Sequence, residues 1–272
     1  MPEPLKNLYT PELIKALSEQ VKIQYCDFDD SSFTAHVFDD DWESKELKER
    51  MKHISEALHQ YLPVNYSEAV QILISVSANF SGFEYMFFPG FVELYGLDEY
   101  ENSIHALECF TPYSSSEFAV RPFIIKYADE MVAQMALWAE STNHHVRRLA
   151  SEGCRPRLPW AMALPDFKKD PSPILPILEK LKNDSSEYVR RSVANNFNDI
   201  SKDNPHLVIE LARTSLGNTA QTDWLIKHAC RTLLKQGQAE VMVLFGFPNP
   251  EHIEIAEFDT QNAVKMGENL EF

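Results

Sequence analysis

Residues 143 to 161, NHHVRRLASEGCRPRLPWA, set Arg147, Arg148, Arg155 and Arg157 around one carboxylate, Glu152, and end beside Trp160. Guanidinium groups gathered in this way suit phosphate, which they hold in place without reading a base sequence. A carboxylate among them repels the same polyanion, so it needs a purpose of its own. General-base assistance and stabilisation of a developing positive charge are the two that chemistry offers, and an indole adds a face that attracts cations. Forty-three residues further on, VRRSVANNFND repeats the arginine pair as Arg190 and Arg191 and sets Asn195 where Glu152 stood. Asp199 follows one helical turn later on the same side, so Glu152 and Asp199 are expected to line one groove. Each residue also has a plainer use. Arg148 and Glu152 at i,i+4 can form a surface ion pair of small worth, Trp160 can fill a core, and Asp199 can serve the turn before SKDNP. Glu117 in SSSEF, three residues after Ser114, fits a helix capping box.

The elements that must position these groups read as helices. Only 8 glycines accompany 16 prolines, and long stretches lack the alternation of strands, which favours helices joined by proline-punctuated turns. TPELIKALSEQVKIQY, WESKELKERMKHISEALHQYL, SEAVQILISVSANF and LDEYENSIHALECF are the candidates in the first 110 residues, the second with Leu47, Met51, Ile54 and Leu58 at helical spacing. From about residue 121 the chain repeats. VRRLASEG at 146–153 and VRRSVANN at 189–196 lie 43 residues apart, and a weaker copy, IKHACRTL at 226–233, lies 37 further on. A period near forty built of helix pairs marks a HEAT-type solenoid, an all-α superhelix that offers one curved face to a long ligand. Gly153 is expected to end a helix and to release CRPRLPWA, whose two prolines stiffen a loop presenting Arg155, Arg157 and Trp160. After LFGFPNPEH the pattern changes, and IEIAEF and DTQNAVKMGENLEF read as strands. Residues 1–240 are therefore expected to form the helical-repeat domain, and 241–272 a linker with the first strands of a β domain.

Several function classes are set aside. No run of 18 apolar residues exists and the N-terminus has no signal-peptide pattern, so a cytoplasmic protein without a membrane partner is expected. Cys26, Cys109, Cys154 and Cys230 form no CxxC pair, which suggests neither zinc nor disulfides. DFDDSSFTAHVF superficially fits a calcium loop, but Ser32 and Phe38 stand where glycine and glutamate are needed. His144 and His145 lack the acidic partners of a metal site, and no cofactor is expected. The net charge of -16 opposes a polyanionic partner at first sight. Its distribution reverses that reading: residues 1–120 carry 7 basic and 21 acidic side chains, whereas 121–235 carry 17 and 13. With a Debye length of roughly 8 Å, a locally basic face still attracts phosphates.

SEFAVRPF at 116–123, VRRLASEGCRPRLPWA at 146–161 and VRRSVANNFNDISKDNP at 189–205, together with LKERMKHISEAL, closely resemble the AlkC branch of the AlkC and AlkD DNA alkylation repair glycosylases. The resemblance runs over essentially the whole chain, and the terminal GENLEF is similar to the opening of the immunoglobulin-like domain that some AlkC proteins carry. It implies a HEAT-like monofunctional glycosylase that removes cationic alkylated bases such as 3-methyladenine from double-stranded DNA without base flipping; a curved DNA-binding solenoid needs no second copy, so a monomer is expected. Matched by motif, Glu117, Glu152, Trp160 and Asp199 fall on the family's active-site positions. Arg147, Arg148, Arg155, Arg157, Arg190, Arg191 and Lys227 are the candidate phosphate contacts. The competing reading is a non-catalytic HEAT scaffold that binds DNA or protein.

Overall fold

The repeated Val-Arg-Arg has a structural reason that its spacing alone does not disclose. In the computed structural model, which describes residues 3–247 and 263–267, Val146 and Val189 are buried. The arginine after each folds back on the turn that precedes its own helix. Arg147 Nη1 donates to the carbonyls of Ser141 and Thr142 at 3.0 Å each, and Arg190 Nη1 donates to Asp184 and Ser185 at 2.6 and 3.0 Å. The turns are further fixed by Asn143, whose side chain accepts from His145 N at 2.9 Å, and by Asp184, which accepts from Ser186 N at 2.8 Å. The first arginine of each pair thus starts a helix, and the second is free for other partners: Arg148 turns to the acids Glu117 and Glu152, and Arg191 faces solvent.

Sixteen α-helices occur among the described residues, and no strand. The N-terminal half contains α1 (Pro11–Gln24), α2 (Asp30–Val37), α3 (Leu47–Tyr61), α4 (Tyr66–Ser77), α5 (Phe87–Tyr95) and α6 (Tyr100–Phe110). After an irregular stretch at 111–120 come α7 (Arg121–Lys126), α8 (Ala128–Trp138), α9 (His144–Glu152), α10 (Pro165–Lys169), α11 (Leu175–Leu181) and α12 (Glu187–Ile200). The last are α13 (Pro205–Ser215), α14 (Ala220–Ala229), α15 (Arg231–Lys235) and α16 (Ala239–Leu244). They stack in two layers: α9, α12 and α14 pack side by side, backed by α8, α11 and α13, while α3 packs on α5 and α4 on α6 in the first half. One core runs from Tyr9 to Val241. The fold is the expected helical-repeat solenoid.

Departures from the expected pattern have local causes. DFDDSSFTAHVF forms α2, N-capped by Asp29, which accepts from Ser32 N at 3.0 Å, and no metal-binding cluster occurs among the described residues. FFPGF lies inside α5 because Pro89 is its third residue, where a helical amide has no intrahelical acceptor to lose. The Ser55 hydroxyl of α3 also donates to the Phe87 carbonyl at 2.8 Å and ties α5 to α3. In the third repeat, α14 begins six residues before Ile226, whereas α9 and α12 begin two before their valines; Lys227 is therefore too far from the turn to close it. Helix α16 crosses the expected boundary at 240 and buries Val241. The expected strands lie outside the described residues, apart from 263–267, which include a turn. No described helix is long and apolar enough to cross a membrane.

Gly153 ends α9 for a reason other than backbone freedom. Its φ is -62°, ordinary right-handed geometry, but a Cβ there would lie 2.7 Å from Val120 Cγ1 and 3.0 Å from the Leu149 carbonyl. Gly153→Ala is expected to cost about 1–3 kcal/mol by overpacking, read as a lower denaturation midpoint. A Val120→Ala background should return part of that loss.

Candidate active site

The loop that follows α9 is tied down at five points. Arg121, fully buried, donates from Nη1 to the Gly153 carbonyl at 2.9 Å and from Nε to the Met162 carbonyl at 2.6 Å, so one guanidinium spans both ends of the loop. Burial without a directly bonded carboxylate pulls its pKa down to about 10. Leu164 N donates to the Pro156 carbonyl at 3.1 Å, Arg157 pairs with both oxygens of Asp203 at 2.7 and 2.6 Å, and Lys48 of α3 reaches the Trp160 carbonyl at 2.7 Å. Trp160 takes a left-handed backbone conformation, φ 64°, which costs a bulky residue on the order of 1–3 kcal/mol. Its indole is 62% exposed and meets Phe83 edge-on at 6.5 Å between centroids. Trp160 is presented to solvent and does not fill the core.

Inside this loop the acids and bases alternate. Arg148, on α9, pairs closely with Glu117 from the 111–120 stretch and lies 3.6 Å from Glu152. Arg155 bonds Glu152 Oε1 at 2.5 Å through Nη1 and Asp199 Oδ2 at 2.8 Å through Nε. Lys202 closes the row on Asp199 Oδ1 at 3.0 Å. The order is Glu117, Arg148, Glu152, Arg155, Asp199, Lys202, and the middle of it is nearly sealed: the Glu152 and Asp199 side chains are 5% and 3% exposed. Burial works against the charged forms of Arg148 and Arg155, but the adjacent carboxylates outweigh it and leave both guanidinium groups above their ordinary pKa. Glu152 is the last residue of α9 and Asp199 the next to last of α12. Two helix C-termini therefore point their negative dipole ends at a row in which three carboxylates are balanced by three cations.

The expected capping box at Ser114 does not form. Ser115 donates to Glu117 Oε2 at 2.7 Å and accepts from Arg148 Nη1 at 3.0 Å, while the Ser114 hydroxyl has no partner. Glu117 and Arg148 open on a cleft of about 330 Å³ whose walls include Phe83, His145 and Tyr188. Arg148 lies 5.0 Å from the Tyr188 ring centroid, and burial with His144 and Arg148 nearby pulls the His145 pKa down.

The remaining candidate cations divide. Arg147 is bonded to both oxygens of Asp184 at 2.6 and 2.9 Å and ties α9 to the next repeat, while Arg190 closes the turn before its own helix. Arg191 makes an exposed i,i+4 pair with Glu187 at 2.9 Å, and Lys227 is exposed with no ion pair among the described residues. Lys48, Ser115, Arg121 and Tyr188 were not singled out by spacing. Tyr188 alone had a signal, since it stands one residue before the second Val-Arg-Arg, as His145 does before the first.

Arg155→Met would leave two buried carboxylates facing each other, with an expected cost of about 3–5 kcal/mol. Arg157→Met breaks a half-exposed pair and should cost less than about 1 kcal/mol. Urea denaturation of the two variants checks the contrast; equal losses would contradict this account of Arg155.

Comparison with known proteins bears on this site. The profile of DNA alkylation repair enzymes matches residues 94–236, a range that includes all six groups of the row and Trp160. YhaZ, an uncharacterized protein of Bacillus subtilis, is 49% identical over 269 residues, which cover 98% of this chain and 75% of YhaZ. Among solved structures, the alkylpurine DNA glycosylase AlkC of Pseudomonas fluorescens, bound to DNA containing an abasic site analogue, superposes with a TM-score of 0.86 at 38% identity. That match covers 90% of this chain and 68% of the AlkC chain.

Proposed function

The chain belongs to the DNA alkylation repair enzyme family, in its AlkC branch, and from that premise we propose that it is a monofunctional DNA glycosylase. Its substrates in this reading are cationic alkylated bases such as 3-methyladenine in double-stranded DNA. The observation that carries the proposal is the convergence of Glu117, Glu152 and Asp199 on one row of ion pairs beside the exposed Trp160.

An N3-alkylated purine already carries a positive charge and needs no protonation to leave. As the bond from C1′ to the base nitrogen lengthens, the base takes the bonding pair and departs neutral, while positive charge grows on the sugar. Glu152, Asp199 and the two helix ends supply fixed negative potential for that charge. Water then forms the new C1′ to oxygen bond and gives its proton to a carboxylate. Glu117, the most accessible of the three, flanks the sugar, and the indole of Trp160 packs on sugar and base. Trp160 stands at the surface, not at the floor of a closed cavity, which supports contact with a lesion that stays in the stack. Exposed cations such as Arg191 and Lys227 hold the phosphates.

Purified protein is expected to release free 3-methyladenine from methylated DNA. Asp199→Asn and Glu152→Gln should each lower single-turnover excision by about 10² to 10³, with circular dichroism confirming that the variants are folded. Wild-type release no greater than that of the double variant would leave only a non-catalytic scaffold. Arg191→Ala and Lys227→Ala should weaken binding regardless of sequence, and each should lower the salt slope by about one.

A further inference from the structure

Lys48 stands where neither its helix nor its neighbours explain it. It is the second residue of α3, at the positive end of the helix dipole, where a cation is disfavoured. Lys45, Arg50 and Lys52 on either side of it all pair with acids, whereas Lys48 forms no ion pair among the described residues. Glu49, next to it, turns to the Glu46 amide at 2.7 Å. The Lys48 ammonium sits over the Phe118 ring at 5.2 Å and gives its one hydrogen bond to the Trp160 carbonyl at 2.7 Å. Among the described residues, no other hydrogen bond runs from the first 110 residues to the loop at 153–164.

The carbonyl it holds belongs to a strained turn. Ala161 N donates to the Leu158 carbonyl at 3.3 Å, which closes Leu158-Pro159-Trp160-Ala161. Proline at the second position and φ 64° at the third mark a type II turn, whose third position favours glycine. Trp160 is the one residue other than glycine with a positive φ among the described residues. Such a conformation persists only where the surroundings over-determine it. The peptide between Trp160 and Ala161 is held at both polar atoms, its N–H by Leu158 and its C=O by Lys48, and the lysine bond is the shorter. A single torsion, ψ of Trp160, separates that held plane from the Cα–Cβ bond. Lys48 thus fixes, from α3, the direction in which the indole leaves the loop. Phe83 meets the same indole, so the hydrogen bond and the ring contact from the first half of the chain converge on one residue.

We propose that Lys48 is a positioning residue for base excision, which acts by holding the Trp160 peptide so that the indole meets sugar and base at a fixed angle. The proposal rests on the glycosylase reading. A phosphate contact is the other use of an exposed lysine, and the test separates the two.

Lys48→Met keeps the aliphatic stem and removes the donor. It is expected to slow single-turnover excision of 3-methyladenine by about tenfold or more, with the salt dependence of DNA binding unchanged. In a Trp160→Ala background the same substitution should have no further effect, because it acts only through that side chain. In protein labelled with 5-fluorotryptophan, one of four tryptophans is Trp160, and its fluorine resonance is assigned by its loss in Trp160→Phe. Lys48→Met should move that resonance in the absence of DNA. Wild-type excision by Lys48→Met overturns the proposal, as does an equal loss in the Trp160→Ala background. A salt slope lowered by about one makes Lys48 a phosphate contact instead. These three outcomes leave the glycosylase reading intact. Wild type that excises nothing refutes that reading and the role in excision with it, and an unmoved resonance then also refutes the hold of Lys48 on Trp160.

Discussion

Two guanidinium groups inserted between three carboxylates are the constraint on which the site depends. Glu152 and Asp199 sit at the C-terminal ends of adjacent helices, where the peptide dipoles already disfavour negative charge. Nearly sealed from water, they repel each other strongly at the reduced dielectric of the interior. Arg155 between them, bonded to both, is what allows α9 and α12 to end side by side. Arg155 in turn can occupy that position only because the chain leaves α9 and turns inward at once, which the contact of Gly153 with Val120 and the two carbonyls held by Arg121 enforce. Stability and the candidate chemistry thus make opposite demands of the same atoms. The arrangement that concentrates negative potential also needs buried cations to hold it, and a single loss in the row exposes the full desolvation cost of what remains.

Much of this was legible in the sequence, where it was periodic. Helical spacing marks α1, α3, α4 and α6, and the 43-residue repeat alone places Glu152 and Asp199 on one groove. What the repeat concealed was a division of labour. Arg147 and Arg148 look equivalent, as do Arg190 and Arg191, yet the first of each pair closes a turn, while Arg148 pairs with two acids and Arg191 faces solvent. A one-residue step rotates a helical side chain by about 100°, so adjacent identical residues meet different surroundings that type and spacing do not report.

The features that escaped sequence reasoning all depend on partners distant in the chain. Ser55 of α3 donates to the Phe87 carbonyl and ties α5 to α3, a contact with no local signature. Trp160 adopts a conformation rare for its type, held by a lysine 112 residues away. Arg121 looks like one more surface cation and is a buried brace. Gly153 was correctly placed at a helix end, while its reason, a side-chain contact across helices, has no local signature. The spacing of Glu117 from Ser114 fits a capping box, but the bond goes to Ser115, since the chain at 117–120 forms turns rather than a helix.

The ion pairs also bear on how an acidic chain could accept a polyanion. Pairs that are largely exposed, such as Arg191 with Glu187, are worth on the order of 0–1 kcal/mol and weaken with salt, so a phosphate can take the guanidinium at little cost. Arg157 with Asp203 is nearer the boundary, half exposed but bidentate. Arg147 with Asp184 and Arg155 with its two acids are different, since freeing either cation strands a buried carboxylate. Arg148 stands between these classes, shared by Glu117 and Glu152 at the edge of an open cleft. A phosphate that draws Arg148 outward would uncover Glu117 first, the least buried of the three acids, so backbone binding and exposure of negative charge to a cationic lesion would be one event.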